Sequence, residues 1–219
     1  MKIVQTLAAS AFALAAFGTA AANASIVISD NFDSSGTPGP NWSGDGIFQS
    51  IPQPGNVQGM PSVDLVGNVG GPAYFSSLAF SGNSIDLDGS TGNGHSPAGE
   101  IRSITSLALG DYTVEFDLAG NLRGATPETT IISLGSQSYS FTPLAIQAYT
   151  HYTLYFTGVS GQLDFQDQIL SDQQGNLLDN VVVTTGVPEP ASWMLMIAGF
   201  GALGFGLRGR RKAGAVAAA

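Results

Sequence analysis

The hydrophobic pattern of the chain is dominated by two-residue alternation. In Tyr112-Thr113-Val114-Glu115-Phe116-Asp117-Leu118 every second residue is apolar, so an extended segment there has one packed face and one wet face, since successive strand side chains point to opposite sides. The same period recurs at Tyr152, Leu154 and Phe156, at Leu163 and Phe165, and at Leu177, Asp179, Val181 and Val183, with weaker runs over 26–28, 63–65, 85–87, 101–107, 131–134 and 139–141. No long apolar run at helical spacing falls between Ser25 and Gly186, and turn residues separate the alternating segments. About ten short strands at this spacing predict an all-β body, a β-sandwich of jelly-roll type. Between Gly36 and Pro72 six prolines (Pro38, Pro40, Pro52, Pro54, Pro61, Pro72) break any ladder and predict long loops.

The two ends follow a different pattern. Met1 and Lys2 lead into an apolar run from Ile3 to Gly18 and then into Ala22-Asn23-Ala24, small residues of the kind a signal peptidase accepts, so residues 1–24 read as a signal peptide cleaved after Ala24. An N-terminal membrane anchor is the competing reading, but the run is short for a span. At the other end Val187-Pro188-Glu189-Pro190 precedes an apolar stretch from Ala191 to Leu207, followed by Arg208, Arg210, Arg211 and Lys212. The seventeen residues of this stretch are the lower limit for a single transmembrane helix. The cations behind them predict a C-terminus held in the cytoplasm, with the helix in the inner membrane and the body outside. Residues 25–186 then remain as one domain, large enough to bury most of its apolar surface.

Charge sharpens this division. The whole chain carries −9, but residues 25–186 hold only Arg102 and Arg123 against fifteen acids, a net of −13. Such a surface repels phosphate backbones and excludes nucleic acid as a partner, while it tolerates divalent cations. The chain has no cysteine, so disulfides, thiol catalysis and Cys-based zinc sites are absent.

Candidate chemistry in the body is sparse. Gly94-His95-Ser96-Pro97-Ala98 has the outline of a nucleophile elbow, with His151 downstream. An elbow needs a strand before the serine and a helix after it, whereas polar turn residues and Pro97 flank this one, which makes it a loop. The run from Asp86 to Gly94 resembles the start of a calcium loop but fails as an EF-hand, with Thr91 at position six and Pro97 at position twelve. His95 and His151 are the only histidines and cannot make a three-His zinc site; His151 reads as a polar strand residue. Acids are too numerous for any glycosidase pair to be chosen from spacing. Asn41-Trp42-Ser43 matches the glycosylation pattern and reads as loop. Trp42, Tyr74 and Phe75 are aromatics that could stack on sugars or fill the core.

Val187-Pro188-Glu189-Pro190-Ala191-Ser192-Trp193, the apolar stretch and the Arg208-Gly209-Arg210-Arg211 cluster together resemble the PEP-CTERM sorting signal in its Pro-Glu-Pro-x-x-Trp form. The resemblance implies processing by an exosortase, with Pro188, Glu189, Pro190 and Trp193 as recognition residues. Val63-Asp64-Leu65, the run from Ile85 to Ser90, the run from Asp117 to Gly124 and Leu177-Leu178-Asp179-Asn180-Val181 make the body similar to galactose-binding-like and carbohydrate-binding-module jelly rolls. That similarity implies a structural calcium where the last strand meets the first, with Asp179 as a ligand helped by Asp30 or Asp33.

The expected function is therefore non-enzymatic: an exported cell-surface or matrix protein whose sandwich binds glycan or acts structurally in exopolysaccharide, with Asp86, Asp88, Trp42 and Arg123 as glycan-contact candidates. Two alternatives stand beside it. A secreted polysaccharide hydrolase would show a cleft lined by Asp86, Asp88 and Arg123, and a protein-binding adhesin would show an exposed apolar patch or a free sheet edge.

Overall fold

In a computed structural model, which describes residues 24–53, 62–67, 81–89, 98–123, 126–168 and 173–186, the alternating segments become the strands of two facing sheets. The predicted leader, the tail from Val187 onward, and Tyr74, Phe75, His95 and Ser96 lie outside the described residues. No helix among the described residues is long and apolar enough to cross a membrane.

Eleven strands are described, in chain order β1 (Ile26–Asp30), β2 (Phe48–Ser50), β3 (Asp64–Gly67), β4 (Asn83–Asp86), β5 (Glu100–Ser103), β6 (Leu107–Ala119), β7 (Thr129–Leu134), β8 (Gln137–Phe141), β9 (Thr150–Gly161), β10 (Leu163–Gln168) and β11 (Leu177–Thr185). One sheet runs β3-β4-β11-β6-β9, with β1 also paired to β11; the other runs β2-β5-β10-β7-β8. The pairings between these strands are antiparallel. This is the all-β, two-layer jelly-roll arrangement that the alternation predicts.

The inward residues of both sheets meet in one core. Val114, Phe116 and Leu118 of β6, Phe156 of β9, Phe165 of β10, Ile132 of β7 and Val181 and Val183 of β11 are all fully buried. Phe116 lies at its centre, with ring centroids 5.4 Å from Phe165, 5.5 Å from Tyr152 and 5.8 Å from Phe141.

The Gly- and Pro-rich region does more than form loops. It supplies β2, and its residues 39–45 lie along two sheet edges at once: Gly39 bridges Leu65 of β3, and Gly44 bridges Gln49 of β2. The run predicted over 101–107 is broken, with β5 ending at Ser103 and Ile104 exposed before β6 begins. The two ends of the body lie side by side, since Thr185 N–H donates to Ser25 O at 2.9 Å and Gly186 N–H to Asp111 O at 2.5 Å.

Candidate functional site

β11 is flanked on one side by β6 along most of its length, and on the other by two short strands placed end to end. β4 pairs with Leu177 and Leu178, whereas β1 pairs with Val181 to Thr184. Between them the ladder is interrupted. At the same point the β11–β6 register shifts between Asp179 and Val182, and Asn180 adopts φ 52°. Such a bulge re-aims side chains at the sheet surface, and asparagine tolerates the left-handed conformation it needs.

The interruption opens a cavity of about 420 Å³ lined by Asn31, Asp33, Ser81, Asp117, Tyr149, Asp179 and Asn180. A second cavity, lined by residues that include Ser29, Asp30, Asn31 and Asn180, lies beside it. The walls are tied by hydrogen bonds from several elements. Asn83 N–H donates to Asp33 Oδ1 at 2.8 Å and Asn31 Nδ2 to Asp33 Oδ2 at 3.0 Å. Phe32 N–H donates to Asp30 Oδ1 at 2.8 Å, Asn180 N–H to Asp179 Oδ1 at 2.7 Å, and Tyr149 Oη to Ser84 Oγ at 2.8 Å. On the outer face Asp117 accepts from Asn180 Nδ2 and pairs with His151 Nδ1, both at 2.8 Å.

The carboxylates here feel burial and one another. Burial, reinforced by Asp33 and Asp117, pushes Asp179 up to about 7. Burial, with Asp45 and Asp179 adding to it, pushes Asp30 up to about 7 as well. The hydrogen bond to Asp117 raises the His151 pKa.

Of the three carboxylates that the calcium resemblance implies, Asp33 and Asp179 share a cavity and Asp30 lines the adjoining one. Both oxygens of Asp33 already accept from nitrogen donors. Among the described residues no group of three or more His, Cys, Asp or Glu side chains is placed to hold a metal ion.

The glycan-contact candidates lie elsewhere and inside. Asp86 and Asp88 are fully buried, Trp42 is almost so and packs edge-on against Phe32 with centroids 6.2 Å apart. Arg123 Nη2 donates to Asp86 Oδ2 at 2.7 Å, and its other nitrogens donate to the carbonyls of Asn121 and Gln173. Burial raises the Asp86 pKa well above the usual carboxylate range despite the opposing pull of Arg123. The Gln173 and Gly175 carbonyls also accept from Arg123, and Gln173 N–H donates to Asp88 Oδ2 at 3.0 Å, so these side chains are engaged in internal contacts. Asn31, Asp117, Tyr149 and Asn180, which form the open cavity, were not singled out by the sequence; the Asp179-Asn180 pair in a strand was the one signal available.

Residues 186–212 match the PEP-CTERM protein-sorting motif. The chain carries a PEP-CTERM sorting signal. It includes Pro188, Glu189, Pro190 and Trp193. No curated protein matches this PEP-CTERM chain. Among solved structures it is similar to the K3 cleaved adhesin domain of Lys-gingipain from Porphyromonas gingivalis w83, at 14% identity and a TM-score of 0.55, covering 75% of this chain and 100% of that one. The K2 cleaved adhesin domain of Lys-gingipain is also similar, at 16% identity and a TM-score of 0.52, covering 73% of this chain and 98% of that one. At these identities the likeness is one of fold, a two-sheet β-sandwich.

Proposed function

We propose that this chain is an exported, non-catalytic surface adhesin whose β-sandwich engages another protein. The observation that carries the reading is the edge strand β9 with the exposed Tyr155 (66%) on it, and Leu144 (65%) and Ile146 (77%) exposed in the segment that leads into it. Isolated exposed apolar residues are ordinary, but here they accompany a twelve-residue strand with, among the described residues, no strand on its far side, the feature natural sheets usually hide. The adhesin-domain fold and the sorting signal support the same reading. In it, residues 1–24 are removed by signal peptidase and an exosortase acts near Pro188 while residues 191–207 hold the chain in the inner membrane.

Two experiments test this. Mass spectrometry of the protein from cells with and without exosortase is expected to find an N-terminus at Ser25 in both, and loss of the tail only with the enzyme. Beads bearing the processed protein are expected to adhere to protein-coated surfaces; adhesion to exopolysaccharide alone would overturn the protein-binding reading. A second reading, glycan contact, is favoured by the polar cavity beside Asn180, where carboxylates, amides and the Tyr149 hydroxyl could meet sugar hydroxyls.

A further inference from the structure

β9 is the edge of its sheet, yet half of that edge is already closed. The Gln137 side chain of β8 reaches across from the other sheet and behaves as a piece of strand backbone: its Nε2 donates to Thr157 O at 2.7 Å, and its Oε1 accepts from Thr157 N–H at 3.3 Å. Tyr139 Oη donates to Tyr155 O at 2.8 Å. Beyond Tyr155 no such latch follows among the described residues. The pairing of β9 with β6 is regular from Phe156 to Thr150, and in a regular antiparallel strand the N–H and C=O of one residue point to the same side, with alternate residues facing alike. Because Tyr155 O faces the edge, the main-chain groups of Thr153 and His151 face it too. Among the described residues no strand pairs with them there.

The charge around this open stretch selects its occupant. Glu115 stands opposite Thr153 and Asp117 opposite His151 on the neighbouring strand, and Arg102 and Arg123, the only Lys or Arg residues of the body, lie on or next to other strands. A second copy of a body at −13 is repelled. Toward the interior side an added strand would meet Tyr139 and Phe141, which pack on Phe156 and Tyr152. We infer that the His151–Tyr155 stretch of β9 is a docking edge for an extended, cation-bearing peptide segment, which adds as a strand with its cations toward Glu115 and its apolar residues toward Tyr139 and Phe141. This rests on the protein-binding reading and names its partner: main-chain hydrogen bonds supply the grip and alternate side chains the choice.

The test uses the full chain in detergent and a short synthetic peptide alternating Val and Lys. Isothermal titration is expected to show binding that weakens with salt. A Val/Glu peptide, and a Val/Lys peptide N-methylated at alternate amides, are expected not to bind. Thr153→Pro removes an edge-facing N–H without touching the β6 ladder and is expected to weaken binding by roughly tenfold or more. Equal binding of the N-methylated peptide or of the Val/Glu peptide, unchanged affinity in Thr153→Pro, or no binding by any peptide would overturn the docking edge. Bead adhesion separates the two ideas. Protein-coated surfaces that hold the unaltered chain and Thr153→Pro equally sink the edge and leave the adhesin reading standing, whereas no adhesion to protein removes both.

Discussion

Arg123 joins three separate segments through Asp86: its Nη2 lies 2.7 Å from Asp86 Oδ2 at the end of β4, while its guanidinium also holds the Asn121 carbonyl after β6 and the Gln173 carbonyl before β11. With Asp86 fully buried and the Arg123 side chain 14% exposed, removing the cation leaves a carboxylate without its countercharge. Arg123→Met is expected to cost about 3–5 kcal/mol, and Arg123→Lys to recover only part, because a point charge cannot span the same acceptors. The double replacement Arg123→Met with Asp86→Leu is expected to regain most of the loss. Denaturant midpoints check this; a Met variant as stable as the parent would show that the pair holds nothing together.

Stability is expected to fall as pH rises from about 5 to 8. Asp30 and Asp179 ionise near 7 in the folded chain against 3.8 ordinarily, so between these values the folded state keeps protons that the unfolded chain has released. With fewer protons bound by the unfolded state, unfolding free energy declines with pH across that window and the loss is complete above about 7. Melting temperatures at pH 5 and pH 8 measure it, and the double variant Asp30→Asn with Asp179→Asn is expected to flatten the dependence. A melting temperature that rises over this range contradicts the assignment.

Gln137→Ala is expected to unlatch the closed half of the β9 edge. The Thr157 amide loses its acceptor while the core stays intact, so hydrogen exchange at Thr157 is expected to speed up with little change at Leu154 or Phe156, which face β6. Sedimentation is expected to show no self-association, since the bodies repel. Unchanged exchange at Thr157 would mean that the side-chain amide does not protect the edge in solution.

Gly82→Ala tests the wall of the cavity. Gly82 has φ 96°, and a Cβ there would sit 2.2 Å from Asp33 Oδ1, so the substitution strains the backbone and displaces the carboxylate that holds Asn83 N–H. A loss of about 1–3 kcal/mol is expected, together with a shifted Asn83 amide resonance. A neutral effect on both would show that Asp33 is not fixed against this turn.

β6 and the first half of β9 could be read directly because their inward residues are apolar at every second position, whereas in β11 the bulge after Asp179 breaks the period and puts Leu178, Val181 and Val183 in the core. β2 could not: three residues among glycines and prolines carry no period, and the strand exists because it pairs with β5, far along the chain. Asp86 and Asp88 misled for a related reason. Alternation around Ile85 and Leu87 places them on the wet face, but both aspartates are fully buried, and only the fold brings Arg123 to Asp86 and the Gln173 N–H to Asp88. Trp42 was open between core and surface in the sequence, and its contact with Phe32 decides for the core. The cavity depends on β1 and β4 stopping short of each other along β11, a coincidence of strand ends far apart in the chain that no local pattern records.

The placement of β11 has a mechanical meaning. The chain leaves the body at Gly186, directly from a strand held by β6 on one side and by β1 and β4 on the other. Tension entering at that point along the strand runs perpendicular to its hydrogen bonds, so the ladder is loaded in shear and many bonds must give way together. A pull on the tail would therefore meet a strand bonded on both sides and not an edge strand that peels away one bond at a time.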